Sequence, residues 1–278
     1  MRVAVTGASG FIGRTLCGAL ARSQHGSVAL DPRIQKLNLH GADAVVHLAA
    51  IAHRRGVDAA ELSRVNVDLA ARVGEAAAAA GVPLVFMSSV KVHGEESIAP
   101  LTESAALAPR DAYAESKARA EQALRVIPGL KLVVLRPPLV YGPGVKANFL
   151  ALASALARGL PLPFASIANR RSLVYVANLA DAILHCMATP QAIGRSYLVC
   201  DGAAVSTPEL CRKLGGALGR PARLFPFPVA ALELLPGARK LTRSLEIDDT
   251  ALRRDLDWRA PFTLEQGLRA TADWYLRR

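Results

Sequence analysis

Aromatic residues and cysteines are scarce in this sequence. Phe, Trp and Tyr together make up 5% of the 278 residues, which leaves few rings on which single-stranded nucleic acids could stack. The four cysteines lack the spacing of a zinc site or of a disulfide framework; they are Cys17, Cys186, Cys200 and Cys211. We therefore expect reduced thiols, no metal ion and a location in the cytoplasm.

Long apolar runs without a charge are also absent. The longest, residues 76–90, contains Gly81 and Pro83 and is shorter than the ~20 residues that span a membrane. An apolar run begins directly after Arg2, so we expect no secretory leader either. The sequence therefore predicts no membrane partner.

Acidic residues are outnumbered by basic ones. The 34 Lys and Arg residues against 23 Asp and Glu residues leave a formal net charge of +11. Such a surplus attracts nucleic acid, acidic lipid headgroups or phosphorylated small molecules, and its sign alone does not choose among them. Because the basic residues are scattered and do not alternate with aromatic residues, we expect no nucleic-acid partner.

Short apolar runs alternate with Ala-rich helical runs through the first half of the chain. The strand-like runs cover residues 3–6, 28–30, 44–48, 84–87 and 131–135. Alternation of this kind, with strands that are apolar on both faces, predicts an α/β fold with a doubly wound parallel sheet between two helical layers. Beyond residue 136, clusters of proline and glycine indicate a smaller C-terminal domain that binds a substrate.

A glycine-rich turn, Gly7-Ala-Ser-Gly10-Phe-Ile-Gly13, follows the first strand-like run and opens a helix. Small residues let the backbone approach a pyrophosphate, which then faces the positive end of the helix dipole. Asp31 lies 18 residues after Gly13, where a carboxylate accepts hydrogen bonds from ribose hydroxyls and repels a 2′-phosphate. The pattern predicts a Rossmann-type domain that binds NAD in preference to NADP, although Arg33 lies nearby.

Tyr113 and Lys117 are four residues apart and share one face of a predicted helix. A tyrosine with a pKa near ~10 is a poor base, but positive charge on Lys117 and on an oxidised nicotinamide would lower that pKa. Tyr113 could then take a hydroxyl proton while hydride leaves for the cofactor. Ser89 follows the strand-like run 84–87 and is predicted to hydrogen-bond the reacting oxygen at the same edge of the sheet.

These motifs resemble the extended short-chain dehydrogenase/reductase family, in particular its NAD-dependent epimerase/dehydratase group, which includes UDP-galactose 4-epimerase. The likeness covers nearly the whole chain. It rests on residues 5–13, 47–50, 86–89, Tyr113 with Lys117, 135–143 and 256–259.

The resemblance implies roles for individual residues. The catalytic residues would be Ser89, Tyr113 and Lys117. The residues in contact with NAD would be Gly7, Gly10, Phe11, Ile12, Gly13, Asp31, Asn38, Leu39, Leu48, Ala49, Ala50, Asn66, Tyr113 and Lys117. The residues in contact with a nucleotide sugar would be Ser89, Asn148, Arg171 and Arg243, since the planar fork of arginine binds phosphate oxygens in pairs.

The resemblance also implies the reaction. Residues 88–95 and 206–210 are similar to a subgroup that acts on UDP-N-acetylated sugars, as 4-epimerases or as reductases of 4-keto-6-deoxy sugars. Family members that remove water carry an Asp-Glu pair where this chain has Val90 and Lys91, so a dehydratase is disfavoured. A third alternative is a non-catalytic dinucleotide sensor or RNA-associated scaffold. We predict an NAD-dependent 4-epimerase of a UDP-sugar.

Two further expectations concern organisation. The predicted NAD-binding domain comprises residues 1–140 plus 172–200, and the predicted nucleotide-sugar domain comprises residues 141–171 plus 201–278. The family resemblance implies a homodimer formed through helices at 59–80 and 113–126.

The flank after the second strand-like run is unusually short. Only 15 residues separate Asp31 from His47, where the family places a strand and a crossover helix. Residues 34–39 could form that strand, which leaves 40–43 to reach the next one. Either this flank is reduced to a loop, or residues are missing from the sequence.

Overall fold

The computed structural model describes residues 1–34, 37–52, 58–235 and 237–278. The strands are β1 (Arg2–Thr6), β2 (Gly26–Leu30), β3 (Ala44–His47), β4 (Leu84–Met87), β5 (Leu132–Arg136), β6 (Leu139–Tyr141), β7 (Leu173–Tyr175) and β8 (Ser196–Leu198). The α-helices are α1 (Phe11–Arg22), α2 (Ala59–Leu62), α3 (Leu69–Ala79), α4 (Ala112–Arg125), α5 (Ala147–Ala157), α6 (Val176–Ala188), α7 (Thr207–Ala217), α8 (Val229–Leu232), α9 (Arg239–Thr242), α10 (Thr250–Leu256) and α11 (Leu264–Leu276). A π-helical turn (Ser63–Asp68) joins α2 to α3, and 3₁₀ turns cover Val90–His93 and Pro190–Ala192.

Six parallel strands form the main sheet in the order β2-β1-β3-β4-β5-β8. Every residue of β3, β4 and β5 is buried, as expected for apolar strands that are covered on both faces. The chain leaves β1 towards β2 on one side and reaches β3 on the other side. The predicted doubly wound sheet is confirmed, and its strand order reverses at the carboxyl ends of β1 and β3, where such folds bind ligands.

Two helical layers cover this sheet. On one face α1 packs against α6, with Leu16, Leu20 and Ile183 buried against the sheet. On the other face α3 and α4 bury Val73 and Leu124. Each fully buried side chain of this size stabilises the fold by about 1.5–3 kcal/mol, so the two layers fix the strand ends relative to one another.

The short flank after β2 is a loop in the described residues. Residues 31–34 and 37–43 form turns, with Leu39 buried beneath the sheet and the Asp43 carboxylate accepting a hydrogen bond from the Arg2 amide at 2.6 Å. The strand suggested for 34–39 is not seen at its described positions, while Gln35 and Lys36 lie outside the described residues. The loop suffices because β2 is an edge strand, and the chain has to cross only β1 to reach β3.

The C-terminal part has its own small core. Strands β6 and β7 form a separate parallel pair, onto which α5, α7 and α11 pack. Asp201 ties this pair together, because its carboxylate accepts hydrogen bonds from the Tyr141 hydroxyl at 2.8 Å and from the Tyr175 amide. Strand β7 thus lies outside the main sheet, whereas β8 belongs to it; the proposed division into domains stays a prediction.

None of the helices in the described part of the chain is long and apolar enough to cross a lipid bilayer.

Candidate active site and cofactor cavity

A cavity of about 920 Å³ lies where the strand order reverses. Its walls come from the turn after β1, the segment after β2, the segment after β3 and the helix that begins at Ala59. Four residues predicted to bind the cofactor line it, namely Gly7, Asp31, Ala49 and Ala50. The cavity therefore occupies the place that the sequence assigned to the adenosine half of a dinucleotide.

The glycine-rich turn brings its backbone close to the end of β3. Gly7 has a φ of +69°, and a Cβ at this position would lie 2.8 Å from the Ala49 amide nitrogen. The Gly10 amide donates to the Gly7 carbonyl at 2.9 Å, and Gly10 then caps helix α1. A Cβ at Gly13 would collide with the Gly7 carbonyl, so this glycine allows the helix to pack against the turn.

The other residues predicted for this turn have supporting positions. Phe11 and Ile12 begin α1 and pack towards the C-terminal core, while Leu48 packs against the main core. The Leu48 amide also donates to the Thr6 carbonyl at 3.2 Å. These side chains shape the cavity from behind.

Replacing Gly7 with alanine should weaken cofactor binding. A side chain there strains the left-handed backbone and crowds Ala49, so we expect the Kd for NAD to rise at least about tenfold, which corresponds to ~1.4 kcal/mol. Gly81→Ala is the matched control, because Gly81 also has a φ of +69° but nothing within 4 Å of its added Cβ. Isothermal titration of both variants measures the difference; equal NAD affinities would contradict the assigned role.

Asn66 holds the end of β3 and does not line the cavity. Its amide oxygen accepts from the Ile51 amide at 2.8 Å, and its Nδ2 donates to the Ile51 carbonyl at 3.1 Å and to the Ser116 hydroxyl at 2.9 Å. These contacts link the end of β3 to helix α4, and the contact of Asn66 with the cofactor stays a prediction. The π-helical turn carries Asn66 into that position.

Asn38 and Leu39, predicted to lie beside adenine, are placed in the short loop after β2. The Asn38 side chain is exposed and accepts a hydrogen bond from the His40 amide at 2.9 Å, as in a tight turn. Leu39 is buried in the core beneath the sheet. Shortening of the flank explains both positions, since these residues serve to turn the chain back towards β3.

Asp31 lines the cavity but already has a cationic partner. Arg33 donates from Nε to Asp31 Oδ1 at 2.9 Å and from Nη2 to Oδ2 at 2.8 Å. This pairing lowers the pKa of Asp31 to about 2, so its carboxylate is charged throughout the physiological range. Arg33 offsets part of the negative charge that would repel a 2′-phosphate.

Removing Arg33 should therefore increase the preference for NAD over NADP. In Arg33→Ala we expect the ratio of the Kd for NADP to the Kd for NAD to rise about two- to fivefold at low ionic strength, the range typical of exposed ion pairs. Arg254→Ala removes a similar exposed pair with Asp255 and is the control. Titrations at low and high salt test this, and an unchanged ratio would show that Arg33 does not affect the choice.

Ser89 and Tyr113 meet at the same edge of the sheet. The Ser89 hydroxyl lies close enough to the Tyr113 phenol to lower its pKa, although the two residues come from different elements. Ser89 follows β4 and begins the 3₁₀ turn, while Tyr113 lies in the first turn of α4, whose N-cap is Asp111. Both side chains are half-buried, so they remain reachable from the crevice.

Lys117 lies one helical turn after Tyr113 and is almost fully buried. Its ammonium donates to the Met87 carbonyl at 2.7 Å and lies over the Phe86 ring, 4.6 Å from the centroid. Burial lowers the pKa of Lys117 to about 7, although the nearby Glu121 carboxylate acts in the opposite direction. The structure thus holds this lysine at the carboxyl end of β4, beside the Ser89 segment.

The ionisation of Tyr113 in the free protein is governed by burial. Burial, and next the Asp111 carboxylate, raise the pKa of Tyr113 to about 12, while the Ser89 hydroxyl lowers it. Burial also lowers the pKa of Lys117 to about 7, which weakens its charge at the pH where Tyr113 ionises. The lowering expected from Lys117 together with an oxidised nicotinamide stays a prediction.

The residues predicted to bind a nucleotide sugar differ in their exposure and in their partners. Arg171 is half-buried, and its Nη1 donates to the Arg243 carbonyl at 2.9 Å. The Arg243 guanidinium forms an ion pair with Glu233 at 2.5 Å and a longer one with Glu96 at 3.9 Å. Asn148 is exposed in the first turn of α5. Arg171 and Arg243 therefore lie together, whereas only Arg243 is held by carboxylates.

Sequence reasoning missed a buried ionic network behind the site. Arg136 at the end of β5 binds the Glu121 carboxylate through Nε at 3.0 Å and Nη2 at 2.5 Å, and the Ser88 hydroxyl donates to the same carboxylate. His93 Nε2 accepts from Arg136 at 3.0 Å. The signal available in the sequence was an arginine that ends an apolar strand, Arg136 after Leu132–Leu135.

The comparisons with known proteins now identify the family. A sequence model of the NAD-dependent epimerase/dehydratase family matches residues 3–200. This protein belongs to that family. The match spans the glycine-rich turn, Ser89, Tyr113 and Lys117, and the resemblance drawn from the sequence is confirmed.

Individual relatives are similar over most of their length. The chain is 36% identical over 260 residues to a UDP-glucose 4-epimerase of Vibrio cholerae, covering 87% of this chain and 79% of that protein. It is 30% identical to a UDP-glucose 4-epimerase of Mycolicibacterium smegmatis, over 99% of this chain and 98% of that protein. The solved structure of a UDP-glucuronic acid 4-epimerase from Bacillus cereus with UDP-glucuronic acid and NAD has a TM-score of 0.82 at 22% identity, covering 100% and 99% of the two chains.

NAD is the cofactor of this family, and the residues present fit it. The cavity has the volume and the close glycine–Ala49 approach that an adenosine diphosphate moiety needs, since a Cβ at Gly7 would fill part of it. The turn after β1 would hold the pyrophosphate and Asp31 the adenosine ribose. Lys117 would hold the nicotinamide ribose.

Proposed function

We propose that this protein is a 4-epimerase of a UDP-sugar that acts through a transient 4-keto sugar. The observation that carries the proposal is that Ser89, Tyr113 and Lys117 come together at the same sheet edge as the cofactor cavity. Two relatives that are UDP-glucose 4-epimerases match it over most of the chain.

The proton chemistry would take place on the two hydroxyls. Tyr113 takes the proton of the sugar 4-hydroxyl, and Ser89 donates a hydrogen bond to the same oxygen as it becomes a carbonyl. Bound NAD supplies the acceptor and then the donor of hydride. After the 4-keto sugar has rotated to present its other face, Tyr113 returns the proton to oxygen 4, so the sugar gains neither protons nor electrons overall.

The substrate diphosphate would lie against Arg171 and Arg243. Arg171 has guanidinium donors beyond the one used on the Arg243 carbonyl, and its half-buried position strengthens an interaction with an anion. Arg243 would have to release Glu233 or Glu96 before it could bind phosphate oxygens. The lost ion pair would offset part of the interaction with the phosphate. We therefore propose Arg171 as the principal phosphate ligand, with Arg243 and Asn148 in supporting positions.

Removal of water from the sugar is disfavoured by the residues after Ser89. Val90 is buried and apolar, and Lys91 is engaged with Asp111 and Glu95. A dehydration needs an acid and a base placed on the sugar, and these two side chains supply neither.

The deciding experiment offers the purified protein a panel of UDP-sugars with and without added NADH. An epimerase converts a UDP-sugar into its 4-epimer without NADH and with no net change in nicotinamide absorbance. A 4-keto reductase instead consumes one NADH for each product and fails on sugars that have a 4-hydroxyl. Binding of NAD without any turnover would favour the sensor alternative.

We also propose that the enzyme is a cytoplasmic homodimer. The exposed side of α4 carries Glu115, Arg119 and Gln122, so a dimer formed through this helix would have a polar interface. Light scattering at micromolar concentration tests the oligomeric state, and a monomer there would refute the dimer.

A further inference from the structure

A lysine that the sequence left without a role joins the two segments that carry Ser89 and Tyr113. Lys91 follows Ser89 by two residues, and its ammonium binds Asp111 Oδ2 at 2.5 Å and Glu95 Oε1 at 2.7 Å. Asp111 precedes Tyr113 by two residues and accepts the Ala114 amide at 2.7 Å as the N-cap of α4. The ion pair therefore links the Ser89 turn to the start of the helix that carries Tyr113.

From this geometry we propose that Lys91 is a positioning residue of the epimerase. It fastens the Ser89 turn to the start of helix α4 and neutralises the carboxylate nearest to Tyr113. This inference rests on the proposed function and adds a residue to it.

The backbone of the same residue orients Ser89. The Lys91 amide donates to the Ser89 Oγ at 3.3 Å, which leaves the hydroxyl hydrogen of Ser89 free to point at Tyr113. The amide of Lys91 thus contacts Ser89, and its side chain contacts Asp111 at the start of the helix that carries Tyr113. A longer or mobile connection would let the pair separate, because these residues come from different elements.

The charges around Tyr113 give the ion pair an electrostatic consequence. Asp111 raises the pKa of Tyr113, and Lys91 is the closest cation to Asp111 among the groups that act on that carboxylate. Lys240 from α9 also acts on Asp111 and binds Glu95 at 3.3 Å. An unpaired Asp111 would therefore hold more negative charge beside the phenol and oppose its ionisation.

The remaining charged neighbours do not replace Lys91. Glu95 forms ion pairs with both Lys91 and Lys240. Its charge also acts on Arg171, which lies shortly before β7. Lys117 is on the opposite side of the site, bound to the Met87 carbonyl. Burial lowers the pKa of Lys91, but its two carboxylate partners more than offset this, so the net shift is upward and the ammonium stays charged.

The test compares pH profiles of kcat/KM. The rising limb of kcat/KM extends through an assay range of about pH 6–10, because the pKa of Tyr113 is about 12. In Lys91→Met we expect this limb to move up by about 0.5–1 pH unit, a loss of about three- to tenfold along it. Lys91→Arg should keep the wild-type limb. Asp111→Asn, which retains an N-capping side chain, should move the limb down, and the double variant Lys91→Met/Asp111→Asn should restore it.

A matched control and an activity-free readout complete the design. Lys213→Met removes another lysine that joins two carboxylates, Glu209 and Glu265, and should leave the profile unchanged. Alkaline titration of tyrosinate absorbance, compared with Tyr113→Phe, should show the Tyr113 pKa rising in Lys91→Met even without substrate. A double variant no better than Lys91→Met, or an unshifted Tyr113 titration in Lys91→Met, overturns the proposal.

Two kinds of failure can be told apart. If the wild-type protein turns over no UDP-sugar, the proposed function fails, while the tyrosinate titration still decides whether Lys91 controls Tyr113. If Lys91→Met does not fold, the Asp111→Asn variant answers the same question, because an unshifted Tyr113 titration in it overturns the proposal.

Discussion

Tyr113→Phe should lower kcat by about 10²–10⁴-fold while the Kd for the UDP-sugar changes by less than about threefold. The variant loses only the hydroxyl that exchanges a proton with oxygen 4, and the ring keeps its place at the start of α4. Because burial and Asp111 hold the pKa of Tyr113 near 12 in the free protein, wild-type kcat/KM should rise towards alkaline pH. That rise should be absent in Tyr113→Phe.

Steady-state kinetics from pH 6 to 10 (an assay range of about four units) and equilibrium binding of the UDP-sugar measure both effects. Tyr275→Phe is the control, since Tyr275 lies on α11 in the C-terminal part, away from the Ser89 segment. Equal losses of affinity and of turnover in Tyr113→Phe would remove Tyr113 from the proton transfer.

Lys117→Met should abolish turnover and yet stabilise the fold. The ammonium is buried, and its pKa of about 7 lies far below the ordinary value, so folding has to desolvate a charge near neutral pH. We expect the free energy of unfolding at pH 7 to rise by about 1–2 kcal/mol and kcat to fall at least about a hundredfold.

The pH dependence of stability separates this explanation from simple packing. Between about pH 7 and 10.5, the ordinary pKa of a lysine, the unfolded chain holds the Lys117 proton and the folded protein does not. The wild-type free energy of unfolding therefore gains a contribution that rises with pH in this window, and Lys117→Met should lack it.

Denaturant unfolding at several pH values measures the slope. Lys131→Met is the matched control, because the Lys131 ammonium also donates to a backbone carbonyl, that of Gly81 at 3.0 Å, but is exposed. A Lys117→Met protein that is less stable than the wild type at pH 7 would mean that the contact with Met87 outweighs the cost of burial.

Local patterns predicted the parts of the site that depend on short stretches of chain. Gly7 and Asp31 could be recognised because a turn and a strand end need particular residue types, and both line the cavity. Ser89 and Tyr113 could be paired because the carboxyl ends of parallel strands face one crevice. The local contacts of Asn38 and Asn66 could not be predicted, because each depends on a loop or a π-helical turn whose geometry the residue types do not specify.

The amino-acid sequence by itself determined the doubly wound sheet, the order of its motifs and the family, because the alternation of apolar runs and the spacing of glycine, serine, tyrosine and lysine are properties of neighbouring residues. Only the tertiary structure decided which charges meet. It brings the Lys91 ammonium to Asp111 and the Lys117 ammonium to the Met87 carbonyl, because contacts between distant segments depend on how helices and strands pack. The ionisation of Tyr113 follows from those contacts and from burial, which no local pattern contains.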